Sequence, residues 1–116
     1  GFTLVEMLIV VMVIAILAGT AVPSFVRSRA TANEKTVIAT LRSISSAQMQ
    51  FKTLGLIDTD FNSAAEYGTL REMTGRDPLR GTSVYMDPKL LSLQLGEVDA
   101  DGHLTRTGYQ IVRKRG

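Results

Sequence analysis

The chain has 116 residues, enough for one small hydrophobic core and too few for two, which excludes most multidomain enzymes. Hydrophobic residues make up 45% of it and cysteine is absent, so a disulfide framework, a thiolate metal site and a cysteine nucleophile are excluded. The formal net charge is +2, from 13 basic and 11 acidic side chains; they are intermixed along the chain, which leaves no broad basic field for nucleic acid.

The apolar residues are gathered at the start. Residues 7–22 read MLIVVMVIAILAGTAV, and Glu6 is the one charged side chain before Pro23. The stretch from Phe2 to Val22 is close to the ~20 residues that a helix needs to cross hydrocarbon. A secretory signal peptide is not expected, because an acid stands where such a signal carries its basic lead-in. A buried core helix is a poor rival, since the rest of the chain offers too little apolar surface to surround a helix that is hydrophobic on every face. Segment 1–23 is therefore expected to span a membrane.

Within that segment Glu6 is the anomaly. A carboxylate at mid-bilayer costs on the order of 2.5–3.5 kcal/mol on insertion scales, and less near an end. Two readings stay open. In the first turn Glu6 can stay at the interface and favour the helix dipole, or it can seek a positive partner. No lysine or arginine precedes Arg27, so that partner is the N-terminal amine of this chain or of a neighbouring one. Small residues at Ala15, Ala18, Gly19 and Ala21 give places where helix backbones approach closely. Pro23 cannot donate to the carbonyl of Gly19, so a kink or local unwinding is expected between them; a proline simply tolerated in a membrane helix is the alternative.

The order Gly1-Phe2-Thr3-Leu4-Val5-Glu6, then a long apolar run and Pro23, resembles the processing site and N-terminal helix of type IV pilins and pseudopilins. The resemblance covers roughly the first 50 residues. It implies that a prepilin peptidase cuts between Gly1 and Phe2 and methylates the new amine of Phe2. It also implies that Phe2 and Glu6 direct subunit assembly into a helical homopolymer. Further implied partners are an inner-membrane assembly platform and a cytoplasmic ATPase motor. The implied location is the bacterial inner membrane before assembly, then a pilus or fimbrium at the cell surface. In the family the segment around Gly19 and Pro23 often melts on assembly, so that the fibre can stretch.

After Pro23 an amphipathic helix is expected to continue over 24–54 and to pack on the head, with Val26, Ala30, Val37, Leu41, Ile44 and Phe51 along one face. Gly55 suits a left-handed cap. A helix of about 50 residues would be ~75 Å long. The head, 55–116, is then small. Ser63-Ala64-Ala65-Glu66 has capping-box spacing for a helix running to Met73 and stopped by Gly75. Residues 76–86 read as a loop, and Pro88 opens a brief helical segment to Leu91. Ser92–Val98 and His103–Val112 read as strands of a hairpin turning at Asp101-Gly102. The fold class is α+β and pilin-like: a long N-terminal helix and a head with a short helix and a hairpin. Two strands fall short of the usual pilin sheet of about four, and a lone hairpin is marginal; a neighbouring subunit or a second short chain is expected to complete the head.

Catalytic constellations are not found. His103 is the only histidine, so no Ser/His/Asp set can be assembled, and no Gly-rich phosphate loop is present. A solvated turn is preferred to a metal ligand for His103. Asp99-Ala100-Asp101-Gly102 lacks the further oxygen ligands of an EF-hand, so a turn is preferred to a calcium site, although pseudopilins of secretion systems bind calcium near the C-terminal end of the head. The aromatics are read as packing residues, and the basic run Arg113 to Arg115 as a solvated strand face instead of a phosphate contact. No metal and no cofactor is expected, and no enzymatic activity. The expected function is a structural subunit of a type IV pilus-like filament. A pseudopilin of a type II secretion system and a monomeric single-span anchored binding protein are the alternatives.

Overall fold

The computed structural model describes residues 1–112; the basic run Arg113 to Arg115 lies outside the described residues. The elements are, in order, helix α1 (Leu4–Leu54), helix α2 (Leu70–Met73), a 3-10 turn (Leu93–Gly96), and strands β1 (Leu104–Arg106) and β2 (Tyr109–Ile111). The α+β class holds, with one long helix and an antiparallel two-stranded hairpin. The chain divides into two units, Gly1–Lys35 and Thr36–Gly116.

The first unit consists of the start of α1 and three preceding residues. Every side chain in it is exposed, and the apolar window within it has a mean hydropathy of 2.6 with 0% buried. By length and composition this is a helix able to cross a membrane. The helix is unbroken through Gly19 and Pro23, so the expected local unwinding is not a feature of the single chain.

In the second unit α1 buries Val37, Thr40, Ala47 and Phe51, with Ile44 packed against the same core. These positions recur every three or four residues, one stripe of a helix. The expected face is thus present in part. Val37, Ile44 and Phe51 lie on it, Thr40 and Ala47 complete it, and Leu41 is 45% exposed. Burial along α1 starts at Val37. Gly55 ends the helix at φ +65, donating its N–H to the carbonyl of Lys52 at 3.1 Å; a left-handed residue here favours glycine.

Around Phe51, which is fully buried, the core gathers Ile57, Met73, Leu79, Met86, Leu91, Leu95 and Leu104. A Cβ on Gly68 would lie 2.9 Å from the Phe51 ring, so a glycine is needed there for close approach. The Gly68 carbonyl is held by the Gln48 side chain at 2.8 Å, which ties this loop back to α1.

Three expectations for the head are corrected. The helix expected from Ser63 to Met73 is only Leu70–Met73, capped by Thr69 and Glu72. Asp58 outcompetes Ser63 as a cap: its carboxylate accepts the N–H groups of Asn62 at 3.2 Å and Ser63 at 2.9 Å, and Ser63 sits at φ +66, outside helical space. Glu66 is likewise taken by the N–H and hydroxyl of Thr59. The helical segment expected at Pro88–Leu91 is absent: this stretch runs as bends, and the helical turn comes later, at Leu93–Gly96. The hairpin turns at Thr107-Gly108, not at Asp101-Gly102. A two-residue type I′ turn needs positive φ at both residues, and Thr107 (φ 50) and Gly108 (φ 83) supply it, whereas in the other pair only Gly102 does.

Candidate functional site

Thr3 and Glu6 build the start of α1 together. The Thr3 N–H donates to Glu6 Oε2 at 2.7 Å, and the Glu6 N–H donates to Thr3 Oγ1 at 3.2 Å. This is a capping box, in which two otherwise orphaned donors of a helix end satisfy each other. It fixes the Glu6 carboxylate at the head of the apolar segment and occupies one of its oxygens. The other, Oε1, accepts no hydrogen bond among the described residues. Phe2, beside the expected cleavage position after Gly1, is 80% exposed.

A second box with the same lettering, Thr69-Leu70-Arg71-Glu72, repeats the arrangement inside the head. There Thr69 N–H donates to Glu72 Oε2 at 2.6 Å, while Glu72 Oε1 accepts from Arg80 Nε at 3.0 Å and Arg80 N–H at 3.1 Å. Glu72 is 2% exposed, and a carboxylate that deep requires such a partner. Arg80 also donates to Glu66 Oε2 at 3.2 Å and to the carbonyl of Tyr67 at 2.5 Å, so one guanidinium ties the Glu66–Tyr67 stretch to Glu72 of α2. Thr59's hydroxyl and N–H hold the Glu66 carboxyl below the usual carboxylate range, and the charge of Arg80 acts in the same direction.

Below Glu6, the small residues Ala15, Ala18, Gly19 and Ala21 are all exposed, and nothing lies within 4 Å of a Cβ built on Gly19. At about 100° per residue, Ala15, Ala18 and Gly19 share one face and Ala21 borders it. The apolar side chains around them are equally uncovered; Ile16 is 67% and Leu17 63% exposed.

The Asp99, Asp101 and His103 side chains come within 4.8 Å of one another. Asp99 Oδ1 accepts the N–H groups of Asp101 at 3.1 Å and His103 at 2.7 Å, and His103 Nδ1 lies 3.1 Å from Gln110 Nε2. Three donors, one of them nitrogen, do not match the six to eight oxygens that calcium takes. The arrangement closes a turn. Sequence reading missed both the Thr3–Glu6 and the Thr69–Glu72 boxes, although Thr-x-x-Glu is written at each.

Residues 1–22 match the family model described as the prokaryotic N-terminal methylation motif. No curated protein and no solved structure matches the chain. The chain therefore carries the class III signal of type IV pilins at the head of a long apolar helix, a combination that implies processing by a prepilin peptidase and anchoring in a membrane before assembly.

Proposed function

We propose that this chain is a structural subunit of a type IV pilus-like filament. Its N-terminal helices pack in the fibre core, and the Glu6 carboxylate of one subunit pairs with the N-terminal amine of the next. The observation that carries this reading is the methylation motif at residues 1–22, which heads a fully exposed apolar helix with Glu6 fixed at its start. A carboxylate and an amine, each costly alone in an apolar medium, offset their desolvation when paired closely. The Thr69–Glu72 box supports the same logic, because there the second carboxylate oxygen takes a cation. Pairing between copies sets the axial register, and the face of Ala15, Ala18 and Gly19 lets helices approach.

Moving such a helix from lipid into a bundle of like helices exchanges one apolar medium for another, so burial alone drives extraction weakly and a motor and platform supply the work. Pro23 leaves the Gly19 carbonyl without its helical donor, and this is the segment that unwinds in the fibre. The partners are further copies of the chain, and a second short chain or a neighbouring copy pairs with the hairpin. The subunit passes from the inner membrane to a cell-surface fibre and is not an enzyme.

Glu6→Ala is the direct test. Membrane insertion is expected to persist while fibres disappear from sheared cell-surface material; abundant normal fibres from that variant would refute the pairing. N-terminal mass spectrometry of wild-type fibres checks cleavage after Gly1 and methylation of Phe2 together.

A further inference from the structure

Just beyond the apolar segment, α1 changes character within two turns. Thr20, Ser24, Arg27, Ser28, Thr31 and Lys35 line one groove along its surface. These positions fall at i, i+4, i+7, i+8, i+11 and i+15, one helical face. On the opposite face Phe25 is 59% exposed, with the Arg29 guanidinium 4.8 Å from its ring centroid. Among the described residues Arg27, Arg29 and Lys35 form no ion pair. This is a concentration of unneutralised cations, with hydroxyl donors beside them, on a unit that has no core of its own.

Position along the helix says what these groups meet. Leu4 to Pro23 is 20 residues, about 30 Å at 1.5 Å per residue, the thickness of the hydrocarbon layer. Arg27 and Arg29 then lie roughly 6 and 9 Å past its edge. The head-group layer is about 5–7 Å deep on each side, and long basic side chains reach back toward it. Phe25 lies about 3 Å past the edge at 1.5 Å per residue, before both arginines. Glu34 is about 10 Å farther on than Arg27 and falls outside the layer.

We infer that this collar binds the phosphodiester of anionic phospholipids in the leaflet at the C-terminal end of the span, holding the subunit at a fixed depth before assembly. The Arg27 guanidinium offers a planar fork that suits phosphate oxygens, and the Ser24 and Ser28 hydroxyls flank it on the same face. Arg29 engages lipid on the other side, whereas Lys35, one residue beyond Glu34, lies outside the layer with it. The inference rests on the reading that residues 4–23 span a membrane, and it adds a lipid preference that spanning alone does not require.

The test is reconstitution of the full chain into phosphatidylcholine vesicles carrying either spin-labelled phosphatidylglycerol or spin-labelled phosphatidylcholine. The immobilised lipid fraction is read by electron paramagnetic resonance. The anionic label is expected to be selected several-fold at low salt, with selection falling as salt rises. Arg27→Gln and Arg29→Gln are each expected to lower it by about fivefold at most, Ser24→Ala with Ser28→Ala by less, and Lys35→Gln is expected to leave it unchanged. Equal immobilisation of the two labels, or selection unchanged in the double arginine variant, overturns the inference and leaves the spanning reading intact. A chain that immobilises neither label has not inserted, and that result overturns both.

Discussion

Replacing Arg80 with methionine removes the cation from a carboxylate that has nowhere to go. Glu72 is 2% exposed, so the change cannot be answered by hydration. Methionine keeps most of the aliphatic stem and the backbone N–H at 3.1 Å, and the Thr69 N–H stays at 2.6 Å; what disappears is the Nε contact at 3.0 Å and the links to Glu66 and the Tyr67 carbonyl. Breaking a buried pair by deleting one partner costs about 3–5 kcal/mol. The lower end applies, because the Arg80 side chain is 39% exposed and two backbone donors remain. For a unit of about 80 residues, about 3 kcal/mol corresponds to a fall in melting temperature of roughly 12–24 °C. The assay is thermal unfolding of the full chain in detergent, followed by the near-ultraviolet circular dichroism of its three tyrosines, Tyr67, Tyr85 and Tyr109. Adding Glu72→Gln, which removes the stranded charge, is expected to return part of the loss. An Arg80→Met protein that melts within ~3 °C of the wild type, or a double variant that melts below it, would show that the pair is not what holds these segments.

Gly68→Ala is expected to cost about 1–3 kcal/mol through overpacking against the Phe51 ring, and Phe51→Leu in the same chain is expected to make the two losses less than additive in a double-mutant cycle. Acid should destabilise the head. The Arg71 fork holds the Asp77 carboxyl below its ordinary value, as Thr59 does for Glu66, so the stability these groups supply is present above their unfolded values and is lost as pH falls through the folded ones. The melting temperature is then expected to decline below about pH 5, and less steeply in Asp77→Asn with Glu66→Gln; an identical decline in that variant would refute the assignment. Thr3→Ala is expected to loosen the first turn of α1 by about 1 kcal/mol, seen as faster hydrogen exchange at the Glu6 amide, with Thr3→Ser close to wild type.

The long helix was legible because its signals are local and repeated: an uninterrupted apolar run, then a stripe through Val37, Ile44 and Phe51, then Gly55. The head was legible only in kind. Ser63-x-x-Glu66 and Thr69-x-x-Glu72 carry equivalent capping signatures, and nothing near either says that Asp58 will claim the Ser63 amide or that Arg80, well along the chain, will claim both glutamates. Likewise Asp-Gly is a stronger turn signal than Thr-Gly, yet the strand that pairs is the one that buries Leu104, 3% exposed, and half-buries Ile111. Register followed the core, a non-local quantity. At the candidate site, Glu6 stood out by its isolation in an apolar run, whereas its capping partner Thr3 was hidden by its ordinariness.

The two Thr-Leu-x-Glu boxes also make the molecule its own calibrant. Glu72 and Glu6 share a local frame and differ in what lies on the second oxygen, so an isotope-edited infrared spectrum of Glu72 records the carboxylate stretch of this geometry when a cation is present. The Glu6 band, measured first in detergent-dispersed chains and then in the proposed fibres, can be compared with that internal standard without recourse to any other protein.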